Sequence, residues 1–197
     1  VHGADFRRVK WYFPRLHVNS AGIGKRAMRF EISEQQQHQA KIPHEVFLTN
    51  LIGNHILWFI AALGLARTYW QPLALVPLFS VATLSYILWR AARSRRVDPW
   101  YVMCHWQICA RRSRVFIYMM MFVSVVAVLG WAGYAYLGMM KEAVYALIGG
   151  IGLLPVMVTV LVLIIMESDL LHQASQGKLP DRVVETYPNP GERVIEE

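Results

Sequence analysis

Four long stretches without a charged side chain constrain this chain more than any other feature of its sequence. They cover residues 48–66, 71–89, 115–137 and 143–166, which contain no Asp, Glu, Lys or Arg. At ~1.5 Å of rise per residue, each can cross a hydrocarbon core of ~30 Å as a helix. A helix on the surface of a soluble domain needs a polar face, and these stretches are apolar all round. The sequence therefore predicts four membrane-spanning helices.

The connections between the four spans predict their arrangement. Residues 67–70 and 138–142 are too short for anything but tight turns, so spans one and two, and spans three and four, form antiparallel hairpins. We expect an all-α membrane protein with three regions. Residues 1–46 form a basic and aromatic N-terminal arm, residues 47–166 a four-helix transmembrane domain, and residues 167–197 an acidic tail whose prolines favour extended backbone.

The distribution of positive charge predicts the orientation. Lys and Arg number eight before residue 48, one in 67–70, seven in 90–114, one in 138–142 and three after 166. Loops rich in Lys and Arg stay in the cytoplasm. We therefore expect both termini and the 90–114 loop on the cytoplasmic side of the plasma (inner) membrane. This pattern explains the net charge of +7 without a nucleic-acid partner.

The 90–114 loop is predicted to carry an amphipathic interfacial helix. Asp98 and Pro99 suit its N-cap and first position, and the helix is expected to run on towards span three. Pro43 is likewise expected at the start of span one. The loop arginines are predicted to contact lipid headgroups or partner subunits: Arg93, Arg95, Arg96, Arg111, Arg112 and Arg114.

Span one carries the most polar residues inside the predicted membrane region. Asn50 and Asn54 are four residues apart and share a face with Gly53, which should be turned to protein because unpaired amides in lipid are costly. His55 is a candidate haem ligand or part of a proton path. The alternative is that these polar groups only make hydrogen bonds between helices, which we favour.

A second polar group is predicted at the cytoplasmic surface. His44 and Glu45 precede span one, the 90–114 loop contains Cys104, His105 and Cys109, and Glu167, Asp169 and His172 follow span four. His44, Cys104, His105, Cys109 and His172 are candidate metal ligands, although their spacing matches no common zinc motif. The favoured interpretation is that these residues are ordinary solvated helix ends.

Small residues in spans three and four predict close helix packing. Gly130 and Gly133 lie in span three, and Gly149 and Gly152 lie in span four ahead of Pro155. A glycine–proline break of this kind can also line the cavity of a carrier. We favour packing, since no span contains a charge.

The functional prediction is a small, non-catalytic integral-membrane subunit of a larger respiratory, transport or secretion complex. Common catalytic motifs are missing, and the polar arm and tail suit contact with lipids and other subunits. One alternative is a redox subunit that binds haem or a metal through His55 or the cytoplasmic His and Cys residues. A second is a stand-alone small carrier. No cofactor is predicted for the leading hypothesis.

Overall fold

Four long helices packed against one another, with a small sheet at one end, make up most of the protein. The computed structural model describes residues 27–66, 68–189, 191 and 194–195; most of the predicted N-terminal arm lies outside them. Strand β1 spans Ala27–Phe30, and the helices and remaining strands follow in chain order: α1 Glu34–Leu48, a π-helical segment Thr49–Trp58, α2 Phe59–Leu65, α3 Gln71–Val97, α4 Trp100–Leu137, α5 Lys141–Leu147, a second π-helical segment Ile148–Leu153, α6 Leu154–Ser175, β2 Lys178–Pro180, α7 Asp181–Thr186 and β3 Val194–Ile195.

Four helices are long and apolar enough to cross a membrane, and each covers one of the four charge-free stretches to within one residue. They are Glu34–Leu65, Gln71–Val97, Trp100–Leu137 and Lys141–Ser175. Each is longer than its charge-free stretch. Helix α4, for example, has 38 residues, or ~57 Å at helical rise, against a hydrocarbon core of ~30 Å.

The surplus length gathers at one end of the bundle. We call residues 34–47, 90–97, 100–114 and 167–175 the inner extensions, because they continue the four spans on the side that the charge pattern assigns to the cytoplasm. The turns at the opposite end are short, so the extra turns of helix all project on the inner side. In these inner extensions, charged and polar residues can pack within the protein beyond the apolar stretches.

The helix boundaries correct two predictions. Span one starts at Glu34, where the Ser33 side chain accepts a hydrogen bond from the Gln36 backbone N–H, and Pro43 lies inside the helix. Helix α4 begins at Trp100 with Pro99 as its N-cap. The loop helix runs on into span three, as expected, but its face is buried in protein rather than in headgroups.

Asp98 has a different role from the predicted N-cap. Its carboxylate accepts two hydrogen bonds from the Arg90 guanidinium, at 2.7 and 2.9 Å, across the turn between α3 and α4. Burial would raise the pKa of Asp98. The hydrogen bonds from Arg90 and Ser94 and the positive charges of Arg90 and Arg93 outweigh burial and hold that pKa below its ordinary value.

A three-stranded antiparallel sheet, which the all-α prediction missed, closes the inner end. Strand β1 is its centre, with Met28 opposite Leu179 of β2 and Arg29 opposite Ile195 of β3. The tail after residue 180 was expected to be extended, yet it begins with the short helix α7. Gly177, at φ +70°, makes the turn into β2 possible, because an added Cβ would lie 2.9 Å from the Phe30 carbonyl oxygen.

The buried core follows the axis of the bundle in two main clusters. Within the spans, Phe47, Leu51, Ile87, Phe116 and Val160 pack together. Beneath the sheet, a second cluster joins the strands to the inner extensions through Phe30, Tyr101, Leu170, Ala174 and Leu179. The indole N–H of Trp100 also donates to the Tyr187 carbonyl at 2.7 Å, which ties the tail to α4.

The contacts of Gly152 lead to a stability prediction. An added Cβ there would lie 3.1 Å from Val123 Cγ2 and 3.3 Å from Val126 Cγ1, whereas one at Gly150 would meet no heavy atom of the described chain within 4 Å. We expect Gly152→Leu to lower the free energy of unfolding by about 1–3 kcal/mol through overpacking. Gly150→Leu is the matched control and should be close to neutral. Unfolding in mild detergent, followed by circular dichroism, measures both; equal losses would contradict the packing seen here.

Candidate functional site

The strongest concentration of chemistry lies in the inner extensions, where three helices meet. His44 comes from α1, His105 and Arg112 come from α4, and Glu167 comes from α6. We call these four residues the His–Glu cluster. The side chains of His44 and Glu167 and the whole His105 residue have no solvent exposure. Arg112 keeps 18% of its side chain exposed.

Direct hydrogen bonds link the four residues in one line. Glu167 lies at the centre of the ion pairing: its Oε1 accepts from Arg112 Nη1 at 3.1 Å, and its Oε2 lies 2.5 Å from His44 Nδ1. The other ring nitrogen of His44, Nε2, lies 2.9 Å from His105 Nδ1. The line therefore runs from a partly exposed guanidinium to a fully buried imidazole.

The surrounding packing holds both imidazole rings in place. The rings of His44 and His105 meet edge to face, with centroids 5.2 Å apart, and Tyr101 packs edge to face on His105 at 4.8 Å. The Tyr101 hydroxyl donates to the Ala174 carbonyl at 3.1 Å, so this ring is itself anchored to α6. Cys109 donates to the Pro43 carbonyl at 3.3 Å, one residue before His44.

Charge balance explains how such a cluster can be buried. An isolated carboxylate without water would be strongly disfavoured, but Glu167 has a guanidinium on one oxygen and an imidazole on the other. His44 bridges Glu167 and His105 with both of its nitrogens. His105 Nε2 is buried and has no hydrogen-bond partner among the described residues. The line of hydrogen bonds therefore ends on one open nitrogen.

The structure overturns the favoured interpretation of this region as solvated helix ends. His44, His105 and Glu167 converge in the core, while Glu45, Asp169 and His172 are exposed. His172 is bonded only to its neighbour on the same helix, Gln176. Cys104 and Cys109 are buried free thiols. Within the described residues, no group of three or more His, Cys, Asp or Glu side chains could hold a metal ion, so the five candidate ligands do not form one metal centre.

Sequence reasoning missed the roles of Glu167 and Arg112. Arg112 was assigned to headgroup contact, but its guanidinium pairs with Glu167 across two helices. A signal was available, because Glu167 is the first charged residue after the apolar stretch 143–166 and so lies close to the packed end of a span. What the sequence could not show is that α1 and α4 place His44 and Arg112 beside it.

The other loop arginines have varied surroundings. Arg95 donates to the Gln107 side chain at 2.8 Å, and Gln107 in turn donates to the Ala91 carbonyl, which locks α3 to α4. The Arg93 guanidinium lies over the Trp89 ring. Arg96, Arg111 and Arg114 are exposed, and their contact with headgroups or partners stays a prediction.

The polar face of span one is turned to protein, as expected, and lies in the first π-helical segment. Asn54 donates to the Val76 carbonyl of α3 at 2.9 Å and to the Asn50 side chain at 3.2 Å. The predicted hydrogen bond between helices is therefore present. His55 is buried, with Nδ1 3.1 Å from the Asn50 carbonyl oxygen and its ring edge-on to Phe116 at 4.8 Å. This places His55 against an aromatic ring and 11 positions along the chain from His44 of the His–Glu cluster.

The glycines predicted to mediate packing fall into two groups. Gly130 faces Val144 and Ile148, Gly133 faces Met139, and Gly152 faces Val123 and Val126, so all three have side chains of the second hairpin against them. An added Cβ at Gly53 would lie 3.9 Å from Thr49 of its own helix, and one at Gly149 would meet no described heavy atom within 4 Å. These two glycines do not bring helices of this chain together.

Comparisons with known proteins give this chain no relative. No protein-family model matches it, and neither a curated protein nor a solved structure is significantly similar to it. The functional argument accordingly depends on the residues and their geometry.

The position of Glu167 leads to a second stability prediction. Glu167→Leu would leave Arg112 and His44 without their shared acceptor, and breaking a buried pair in this way costs about 3–5 kcal/mol of unfolding free energy. Asp169→Leu, two residues along the same helix at an exposed position, should change it by less than ~0.5 kcal/mol. Chemical unfolding in mild detergent compares the two variants. A Glu167→Leu protein as stable as Asp169→Leu would show that the cluster does not hold the bundle together.

Proposed function

We propose that this chain is a small, non-catalytic integral-membrane subunit of a larger membrane assembly. Its inner end is closed by its own packing, and its outer half offers helix surface to neighbours. The observation that carries the proposal is the uneven packing of the two hairpins along the membrane normal.

At the inner end the two hairpins are tightly joined. Helix α1 packs on α4 and α6, α3 packs on α4, and the sheet packs on α1, α4 and α6. In the outer half the pattern changes: α2 packs mainly on α3, and α5 mainly on α4, within its own hairpin. The outer halves of the hairpins thus present broad apolar faces, including Leu57, Ile60, Leu129 and Trp131, to their surroundings.

Small residues on these outer faces favour a protein neighbour. Gly64 of α2 and Gly149 of the second π-helical segment are exposed, and an added Cβ at either would meet no described heavy atom within 4 Å. In a membrane, apolar area alone does not drive helices together, because lipid tails are equally apolar. Small residues do favour association, since they let backbones approach closely.

The orientation belongs to the same proposal. The seven Lys and Arg residues of 90–114, against one in each of the turns 67–70 and 138–142, favour the inner extensions and both termini on the cytoplasmic side of the plasma (inner) membrane. Arg96, Arg111 and Arg114 are exposed there and are suited to bind anionic headgroups. Lipids and neighbouring subunits are therefore the proposed partners.

Cysteine labelling in intact cells tests the orientation. We expect Met140→Cys, at a position 71% exposed, to react with a membrane-impermeant thiol reagent, and Glu185→Cys in α7 to react only after the cells are opened. The native Cys104 and Cys109 are buried and should give a low background. Labelling of Glu185→Cys but not Met140→Cys in intact cells would reverse the proposed topology.

Mass measurement tests membership of an assembly. Extracted from native membranes in mild detergent, the chain should elute in a complex much larger than its own 22.6 kDa. Gly64→Leu with Gly149→Leu should release a monomer that still unfolds cooperatively, because neither glycine packs on this chain. Ala82→Leu, an exposed small-to-large change in mid-span two, is the control and should leave the complex intact.

Two results would contradict this proposal. One is a wild-type chain that is monomeric under the mildest extraction. The other is a visible absorption band of a bound cofactor in the purified chain, which would favour the redox alternative.

A further inference from the structure

The hydrogen bonds of the His–Glu cluster limit where its protons can lie. The 2.9 Å contact between His44 Nε2 and His105 Nδ1 needs one proton, since two bare nitrogens would repel and two N–H groups would clash. The 2.5 Å contact between His44 Nδ1 and Glu167 Oε2 also needs one. Both contacts can be satisfied in a neutral arrangement and also with one proton more.

In the first arrangement the cluster is neutral overall. His44 donates from Nδ1 to the Glu167 carboxylate, so its Nε2 is bare and accepts the N–H of His105 Nδ1. His105 Nε2 is then a bare acceptor. The charges are one carboxylate and one guanidinium, on Glu167 and Arg112, which are paired at 3.1 Å.

In the second arrangement the cluster carries one more proton. His44 is protonated on both nitrogens, donates to Glu167 and to His105 Nδ1, and leaves the proton of His105 on Nε2. The same proton count is kept if the shared proton moves from His44 Nδ1 to the Glu167 carboxylate. The open nitrogen, His105 Nε2, is therefore bare in one state and protonated in the other. No heavy atom has to move between the two.

We propose that the His–Glu cluster is a proton-binding site that takes up one proton at His105 Nε2 and passes the charge to His44. When the inner end opens locally to water, a hydronium ion gives its proton to His105 Nε2 and leaves as water, while the proton on His105 Nδ1 shifts to His44 Nε2. His44 becomes an imidazolium against the Glu167 carboxylate. This inference does not depend on whether the chain is a subunit.

The groups that face the two histidines favour this use. The negative charge of Glu167 on α6 stabilises an imidazolium at His44, and the positive charge of Arg112 on α4 destabilises it. The proton affinity of the cluster therefore depends on both charges. Tyr101 and Cys109 are the other titratable side chains packed against the cluster, and each hydroxyl or thiol donates to a backbone carbonyl. If the cluster served only to hold α4 against α6, the Arg112–Glu167 ion pair would be sufficient.

Nitrogen NMR of the wild-type protein in lipid nanodiscs tests the proposal. With ¹⁵N-labelled histidine, the N–H···N bond between His44 and His105 should give a scalar coupling between two ring nitrogens, which identifies the pair without any substitution. From about pH 8 to about pH 5, one step should convert His105 Nε2 from bare to protonated and His44 to an imidazolium. The exposed His172 lies outside the cluster and is the internal control, which should show no coupling to a second ring nitrogen.

Two substitutions test the electrostatic sign. Glu167→Gln should lower the proton affinity of the pair at least ~10-fold, and Arg112→Gln should raise it by a similar factor. His105→Phe keeps a ring against Tyr101 and should leave His44 unable to take up the proton in that step. The circular dichroism of each variant shows whether it is folded, and the wild-type titration stands without them.

Three results would overturn the proposal. The first is that His44 and His105 titrate in separate steps. The second is that neither changes over this pH range. The third is that His105 Nε2 carries its proton at both ends of the range. Any of these would make the cluster a fixed structural contact.

Discussion

The contact between His44, Glu167 and Arg112 is the interaction on which the rest of the structure depends. It joins three of the four spans at one point, deep in the inner extensions, and it makes the burial of a carboxylate possible. Each partner alone would be disfavoured without water, so the three helices are stabilised as a set and not in pairs. The register of α1 against α4 and α6 is consequently fixed there, and the apolar core of the spans continues from it.

The polar contacts of the inner extensions determine which helices are neighbours. Apolar side chains distinguish poorly between helix neighbours in lipid, because lipid tails solvate them equally well. Specific arrangement needs polar contacts, and these are more easily accommodated beyond the hydrocarbon core. Here the His–Glu cluster and the Arg95–Gln107–Ala91 bonds lie in the extensions, and the Arg90–Asp98 pair joins one extension to the adjoining turn. The span interiors add only a few such contacts, chiefly from Asn54 and Trp58 to carbonyls of α3.

The division between a fixed inner end and an open outer end also connects the two functional inferences. A closed inner end suits a buried proton site, since the packing of Tyr101, the sheet and the helices excludes solvent from His105. An outer half with exposed glycines suits association with other membrane helices. The proton site and the association surface lie in different halves of the molecule, and substitutions at different residues test them.

The sequence by itself determined the number of long apolar helices, because the absence of charge over 19 or more residues is a local property that sets how long an apolar helix can be. It also indicated that Asn50 and Asn54 face protein, since the cost of an amide in lipid does not depend on which neighbour receives it. The small sheet and the early start of α1 were missed, because short strands and a proline within a helix are decided by their partners. His44 and His105 were recognised as polar residues near one surface. Only the tertiary structure decided that they meet Glu167 and Arg112 in the core. Arg112 and His44 are separated from Glu167 by 55 and 123 positions along the chain, respectively. Contacts over such separations follow from how the helices pack and leave no periodicity in the sequence.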